Sequence, residues 1–508
     1  MIAAIHRNAR CVNDRLAAWL TEVDSLASHG DLLGAIQLSC DVLKQIGCVI
    51  PPKPSKIHLL LEILGCSRAT KRWSDEEFLN LPLANDPAVL AQLKLLSTLM
   101  ICAFSRGERS KHLALVSTLR AFRLSCRFGL DATSLSSIAA FGAVKSVLGD
   151  KNLGCRYGNI ALTLVDSLQM PEVKCRTFYM AYSFGFMFKT PLPQGRDLFL
   201  SLYHTGLAHG DIDHAYYAAH LYLNLLYNVG ANLVEVEERC RKMCLEMEEF
   251  QLTFALGIAS STWQFVLNLM GHCIHPSILS GDVVNANLIE EMKEGHSLAG
   301  LTAVRRHELW LAYEFQDWEM LALKIVELEA VMHSLQGHFM SIFSEIFVAL
   351  AAFALYGHTG KRKYRMKGRK KMEFLKQLIK KGCVFAEGAL KLLEAEMAAL
   401  TGKGTRDKVE EMYLDAITTL RAESLKELYA VAFERLSLAM MDREDVRRAR
   451  RYIMKSMAIY EDWGAHARVK WMKKRYSHLR VFKNNNAPMI GNGAQDSNFS
   501  HLDIMTPM

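Results

Sequence analysis

Residues 206–230 read Gly206-Leu-Ala-His-Gly-Asp-Ile-Asp-His-Ala-Tyr-Tyr-Ala-Ala-His-Leu-Tyr-Leu-Asn-Leu-Leu-Tyr-Asn-Val-Gly230, and this stretch decides the fold. Leu202, Tyr203 and Leu207 end one apolar stripe. Gly210 and Asp211 interrupt it. A second stripe runs through Ala215, Ala219, Tyr222 and Leu226 at helical spacing. Gly230 ends that helix, at a position that favours positive φ. The pattern is helix, tight Gly-Asp turn, helix, and the second helix opens its contact face with small residues.

Versions of this unit recur. Trp19, Val23 and Leu26 precede a turn at His29-Gly30-Asp31, and Ala35, Ser39 and Val42 follow it. The turn returns at Gly149-Asp150, with Gly142 before it and Gly154, Gly158 and Ala161 after. Glycine costs helix propensity, so close helix packing is its compensation. Another turn falls at Phe315-Gln-Asp-Trp318, and a last pair spans roughly 425–465 around Asp442. A large aromatic, a turn, then small residues at four- and three-residue steps is tetratricopeptide-like spacing. Each pair leaves an apolar face for the next, so the chain is read as an all-α solenoid of helical hairpins. Between these units, Asp86 is placed to cap a helix starting at Pro87. Helices are expected at about 88–106, 109–128 and 132–148.

Composition agrees. The chain has 508 residues, half of them hydrophobic, and 11 prolines. A single core rarely grows to that length, so an array fits better than one globule. The 12 cysteines form no Cys-x-x-Cys pair. They read as small buried hydrophobes in a reducing compartment. Arg7, Arg10, Asp14 and Arg15 stand where a secretory leader needs an apolar core, so none is read there. The most hydrophobic window, Ile342 to Leu355, contains Glu345 and is short of the about 20 apolar residues of a membrane span. A cytoplasmic location is expected, with a nuclear one as the alternative.

The C-terminal end is more particular. Tyr460-Glu-Asp-Trp-Gly-Ala-His-Ala467, with Lys470 and Tyr476, resembles the end of a tetratricopeptide-like region found in multidomain signalling proteins. In that family a "predicted ATPase" module, often behind a serine/threonine kinase domain, precedes the helical region, and a hybrid histidine-kinase module often follows. Leu81-Pro-Leu-Ala-Asn-Asp-Pro87, Gly149-Asp-Lys-Asn-Leu-Gly-Cys-Arg-Tyr-Gly158, Gly206 to Ala215 and Glu410-Glu-Met-Tyr-Leu-Asp-Ala-Ile417 carry the same resemblance. It extends to about residue 480. It implies the helical fold and a signalling role. The family's kinase and nucleotide-binding motifs have no counterpart in these 508 residues, so no catalytic residue is carried over.

The chemistry-bearing motifs are weak. Gly357-His-Thr-Gly-Lys-Arg362 is two residues short of a phosphate-binding loop and lacks its hydroxyl. Cys240, Cys244, His272 and His275 lack structural-zinc spacing, and the two thiols fit a buried stripe. His204, His209, His214 and His220 cluster about the central turn and read as turn or surface histidines. No catalytic, cofactor-binding or metal-ligating residue is assigned, and the chain is read as non-catalytic. Arg447-Arg-Ala-Arg-Arg451 reads as ordinary charge on an exposed helix.

The strongest unusual feature is Lys361 to Lys381, with 11 Lys or Arg and one acid. The run carries +10 and the chain +8, so the remainder carries −2. The basicity is one local patch, expected as an insertion between helices. Lys361, Arg362, Lys363, Arg365, Lys367, Arg369, Lys370 and Lys371 form a candidate anion-binding patch for phosphates, anionic lipid or an acidic protein surface. Two aromatics, Tyr364 and Phe374, are too few for base stacking.

The expected organisation is a first hairpin (1–55), a central solenoid (56–358), a basic insertion or linker (359–381), C-terminal repeats (382–482) and a disordered tail (483–508). The expected function is a non-catalytic scaffold or regulatory module of a signalling system. It would bind protein partners or couple kinase and ATPase modules. Docking to nucleic acid or an anionic membrane through 361–371 is the alternative. A third reading makes these residues one piece of a larger signalling enzyme.

Overall fold

The computed structural model describes residues 5, 8–28, 31–106, 110–294 and 297–479. The His29-Gly30 part of the first turn and the tail 483–508 lie outside the described residues. Among those described there is no strand, only an isolated bridge between Leu83 and Leu130.

Among the described residues twenty-three α-helices follow one another. Helices α1 (Leu16–Ser28) and α2 (Leu32–Gln45) pair first. Then come α3 (Lys56–Thr70), the short α4 (Asp75–Leu79), α5 (Pro87–Ser105) and α6 (Lys111–Phe128). α5 pairs with α6, and α3 packs on α6. The pair α7 (Ala132–Val147) and α8 (Lys151–Ser167) is covered by α9 (Lys174–Phe184). The central unit is α10 (Leu192–Ala208) on α11 (Ile212–Asn228), followed by α12 (Leu233–Glu249) on α13 (Thr253–Met270). After α14 (Ala286–Glu294), α15 (Leu298–Glu314) pairs with α16 (Trp318–Val331), and α17 (Ser341–Thr359) with α18 (Arg362–Lys380). The last pairs are α19 (Glu387–Leu400) with α20 (Arg406–Ala422), and α21 (Lys426–Met441) with α22 (Val446–Trp463). Helix α23 (His466–Arg475) closes the described chain. The architecture is an all-α solenoid of helical hairpins.

Four of the turns share one device. A residue with positive φ is followed by an aspartate that starts the next helix. Gly149, at φ 99°, precedes Asp150, whose carboxylate accepts from Leu153 N at 3.0 Å. Gln316, at φ 51°, precedes Asp317, which accepts from Met320 N. Glu444, at φ 62°, precedes Asp445, which accepts from Arg448 N. Gly210, at φ 75°, precedes Asp211, whose carboxylate turns to Arg176 at 3.0 Å and His214 at 2.9 Å instead. The left-handed residue reverses the chain, and the aspartate satisfies an amide the new helix leaves open. Asp86 does the same after an extended entry, accepting from Ala88 N at 2.8 Å with Pro87 as first helical residue.

Small residues then set the distance between paired helices. A Cβ on Gly142 would lie 2.7 Å from Gly154 O, and one on Gly206 would lie 2.7 Å from Ala215 Cβ. α7 and α8, and α10 and α11, therefore meet nearly backbone to backbone.

The apolar core falls into three clusters. One joins Leu16 to Ala121, a second joins Cys66 to Ala181, and the largest runs from Cys175 to Leu479. In the largest, elements far apart in sequence touch. Phe339 N donates to Ser183 O at 3.0 Å, and Val384 N donates to Phe188 O at 3.0 Å. Helix α23 lies against α13. Trp310, Tyr313, Tyr460 and Trp463 are all buried in this largest cluster.

Two helices, over Pro87–Phe104 and Ser341–Thr359, are long and apolar enough to cross a membrane. The second contains the expected apolar window; the first was not anticipated from sequence. In α17, 72% of that window is buried inside the protein, against 44% in α5. All 12 cysteines are free thiols. Burial lifts Cys40 to about 11 and Cys126 to about 12, so these are unreactive packing groups.

The two roles of glycine separate by substitution. Gly142→Val pushes a branched side chain into the opposing backbone and is expected to cost about 1–3 kcal/mol, the usual range for overpacking. Gly149→Ala meets nothing within 4 Å. It is expected to cost about 1 kcal/mol, through left-handed backbone strain alone. Urea unfolding midpoints of the two variants measure the difference.

Candidate functional site: the basic face of α18

The run 359–381, expected as an insertion or linker, is instead a regular helix, the second member of the α17–α18 hairpin. The reason lies in four residues of the run itself. Tyr364, Gly368, Met372 and Leu375 recur at four- and three-residue steps and turn toward α17. Gly368, Met372 and Leu375 are buried. A Cβ at Gly368 would lie 2.7 Å from Phe353 Cδ1, so glycine lets this helix settle on α17. The density of Lys and Arg masked that narrow apolar stripe.

Burial divides the eight candidate residues into two groups. Lys367 pairs with Glu329. Lys371 lies 2.7 Å from Glu345 and 3.6 Å from Glu329. Arg365 leans over the Tyr356 ring at 5.5 Å. These three cations serve the packing of α18 on its neighbours. Glu345, the one acid of the apolar α17 window, is explained by Lys371. The other five, Lys361, Arg362, Lys363, Arg369 and Lys370, are exposed and have no carboxylate partner among the described residues. Lys380 joins them on the same face. Glu373 is the acid within it, and Met366 and Phe374 are exposed beside it. The result is a ribbon of cations along one helix, open to solvent.

The loop that leaves α18 is fixed by an unusual cap. The Glu423 carboxylate accepts from Glu387 N at 3.0 Å and Gly388 N at 3.1 Å, at the start of α19. Burial raises its pKa to about 7, against the lowering effect of those two amides. A raised carboxyl favours the fold fully below its unfolded value near 4.5, and that contribution is lost as pH climbs through about 7. Stability is therefore expected to fall over this window by more in the natural chain than in Glu423→Gln. Thermal midpoints at pH 5 and pH 8 measure it.

The other motifs serve structure. Gly357 to Arg362 spans the end of α17 and the start of α18, with Gly360 as left-handed cap. Cys240 and Cys244 are buried in α12, while His272 and His275 are exposed. Among the described residues no group of three or more His, Cys, Asp or Glu is placed to hold a metal ion. His204, His209, His214 and His220 do not converge. His214 binds Asp211, and His220 alone is buried, in the interior of α11.

The signature Tyr460 to Ala467 closes the array. Trp463 Nε1 donates to Ala231 O at 2.8 Å, one residue past Gly230 of the central unit. Gly464 caps α22 in the left-handed region. Arg468, 1% exposed, is clasped between Glu314 of α15 and Glu434 of α21. Tyr460 OH donates to Glu314 at 2.9 Å, and Tyr476 OH to Glu434 at 2.6 Å. Burial works against the guanidinium charge, but Glu434 and Glu314 outweigh it and hold Arg468 well above its ordinary value. Sequence reasoning placed none of these pairings, because the partners stand up to 232 residues away, from Ala231 to Trp463.

One further exposed feature is the row Ile57, Leu60, Leu61 and Leu64 on α3, an apolar stripe left exposed among the described residues.

No family model matches this chain, and no curated protein does.

Removing Arg468 leaves two buried carboxylates without their cation. Arg468→Met is expected to cost about 3–5 kcal/mol, the range for breaking a buried ion pair from one side. The urea midpoint reads this. A loss below about 1 kcal/mol means that the clasp is not what joins α23 to the array.

Proposed function

We propose that the protein is a non-catalytic helical-repeat scaffold that docks an acidic protein surface on the exposed face of α18. The observation that carries this is the row Lys361, Arg362, Lys363, Arg369 and Lys370, which lacks carboxylate partners. In the second basic run Arg448 meets Asp407 and Glu410 at 2.7 Å, while Arg447, Arg450 and Arg451 are exposed. A rigid helix holding five free cations preorganises them for a complementary surface and steers its approach. A signalling role, with kinase or ATPase modules as partners, draws its support from the resemblance of Tyr460 to Ala467 and the related stretches. A cytoplasmic location, or a nuclear one, accompanies this reading.

A second reading, docking to an anionic membrane or nucleic acid, uses the same ribbon. Met366 and Phe374 favour the membrane over nucleic acid, since exposed apolar groups beside cations enter a lipid interface.

Three probes separate these. The purified chain is offered a poly-glutamate peptide, phosphatidylserine vesicles and duplex DNA across a salt series. The first reading expects peptide binding that weakens steeply with salt and falls at least tenfold in Arg369→Glu/Lys370→Glu. Binding to vesicles or DNA alone transfers the function to the second reading. ATP hydrolysis above a mock preparation overturns the non-catalytic assignment.

A further inference from the structure

Helix α3 is built inside out. An ordinary surface helix turns its apolar stripe to the core and its polar face to water. Here the inward line is Glu62, Cys66 and Thr70, four residues apart and all buried. Each is held by a polar contact. Glu62, 5% exposed, accepts from Arg120 Nε at 3.0 Å and Arg123 Nη1 at 2.8 Å, both on α6. Cys66 Sγ donates to Leu119 O at 3.3 Å, and the hydroxyls of Thr70 and Tyr157 are hydrogen-bonded at 3.0 Å. Leu59 and Ile63, half-buried, pack on the second core cluster. The outward line is Ile57, Leu60, Leu61 and Leu64, which follow the three-, four- and seven-residue steps of one helix face. They are 69%, 55%, 60% and 42% exposed.

The polar line fixes the apolar one outward. Turning α3 about its axis to bury the leucines pulls Glu62 away from both arginines and breaks the contacts of Cys66 and Thr70. Arg120 also donates to Val49 O at 3.2 Å, which brings Val49, itself exposed, beside the same helix.

Charge brackets this ridge. Between Lys53 and Arg72 the chain has five cations, Lys53, Lys56, Arg68, Lys71 and Arg72, all exposed. The one acid in that span is the buried Glu62. Two cations precede the stripe and three follow it.

Large apolar side chains grouped on an exposed face mark an interaction surface. The cations select its occupant. A second copy laid antiparallel sets Lys53 and Lys56 against Arg68 and Lys71, and one laid parallel sets each cation against itself. Like charges meet in both arrangements, which opposes self-pairing. An anionic bilayer answers both features at once. Its fluid interface needs no hollow matched to a protruding ridge, and its headgroups supply anions at either end.

We propose that α3 is a membrane-docking helix that lies in the plane of an anionic bilayer. Ile57, Leu60, Leu61 and Leu64 enter the acyl boundary, and the five flanking cations meet lipid phosphates. The surface goes beyond the docking face of α18 and uses none of its residues.

The test uses the full chain with phosphatidylcholine vesicles, with and without phosphatidylserine, read by co-sedimentation. The chain is expected to bind the phosphatidylserine vesicles, and to bind phosphatidylcholine alone about tenfold more weakly. Leu60→Ser/Leu64→Ser changes two exposed side chains. It is expected to leave the thermal midpoint in place and to weaken binding about tenfold. Arg369→Glu/Lys370→Glu, on α18, is expected to weaken binding less than that pair does. Leu61→Trp places a reporter on the ridge, and brominated phosphatidylserine is expected to quench the emission it adds to that of the natural chain. The proposal is overturned if phosphatidylserine vesicles are not bound, if binding survives Leu60→Ser/Leu64→Ser, or if the added emission of bound Leu61→Trp is not quenched. It is overturned equally if the α18 variant loses more binding than the α3 variant, which places the bilayer on the other face. Self-association of the natural chain that Leu60→Ser/Leu64→Ser abolishes also overturns it, and gives the ridge to a second copy.

Discussion

Close approach of paired helices is the constraint on which the rest of this structure depends. α7 meets α8 through Gly142 and Gly154, and α10 meets α11 through Gly206 and Ala215, where no further carbon fits. The turns make that approach possible. A left-handed residue reverses the chain within two residues, and at Asp150, Asp317 and Asp445 the aspartate after it supplies the first cap. The pair is thus fixed locally, before any distant contact forms. Each pair then exposes an apolar face that only the next pair can cover, which is why the units propagate as an array.

Propagation alone would leave an open superhelix. Here the largest core runs unbroken from Cys175 to Leu479, because the array curls until its late elements reach its middle. Trp463 hydrogen-bonds Ala231, and Arg468 joins Glu314 to Glu434. Such a clasp is a poor source of net stability, since desolvating three charges offsets most of their attraction. Its value is in selecting one curvature. A displaced α23 would leave Glu314 and Glu434 buried and unpaired, so intermediate arrangements are costly and the closed one is distinct.

Charge is sorted by the same packing. α18 uses Lys367, Lys371 and Arg365 against Glu329, Glu345 and Tyr356, and leaves the others to solvent. The outer face is therefore left to solvent. The inner histidines and Arg306 belong to another regime, where low dielectric makes each missing partner matter. Cations along a surface helix are tolerated because water screens them. A buried Arg306 without a carboxylate partner among the described residues is an electrostatic cost.

What the sequence determined by itself was local. Hairpin spacing, the Gly-Asp turns, the cap at Asp86 and the small-residue steps all depend on neighbours within about 20 residues, and periodicity reports such neighbours directly. Tertiary structure decided everything that joins residues further apart. The basic run reads as an insertion in one dimension because its apolar stripe, Tyr364, Gly368, Met372 and Leu375, is narrow and buried under Lys and Arg. Only the Phe353 surface of α17 shows that the stripe is a packing face. Which of the eight candidate cations remain free was equally hidden, since Glu329 and Glu345 lie on other helices. The signature around Trp463 was visible as a pattern, but its partners at Ala231, Glu314 and Glu434 were not. Burial and pairing at a distance are properties of the curl, and the curl is the sum of many small angles between pairs that no single stretch of sequence encodes.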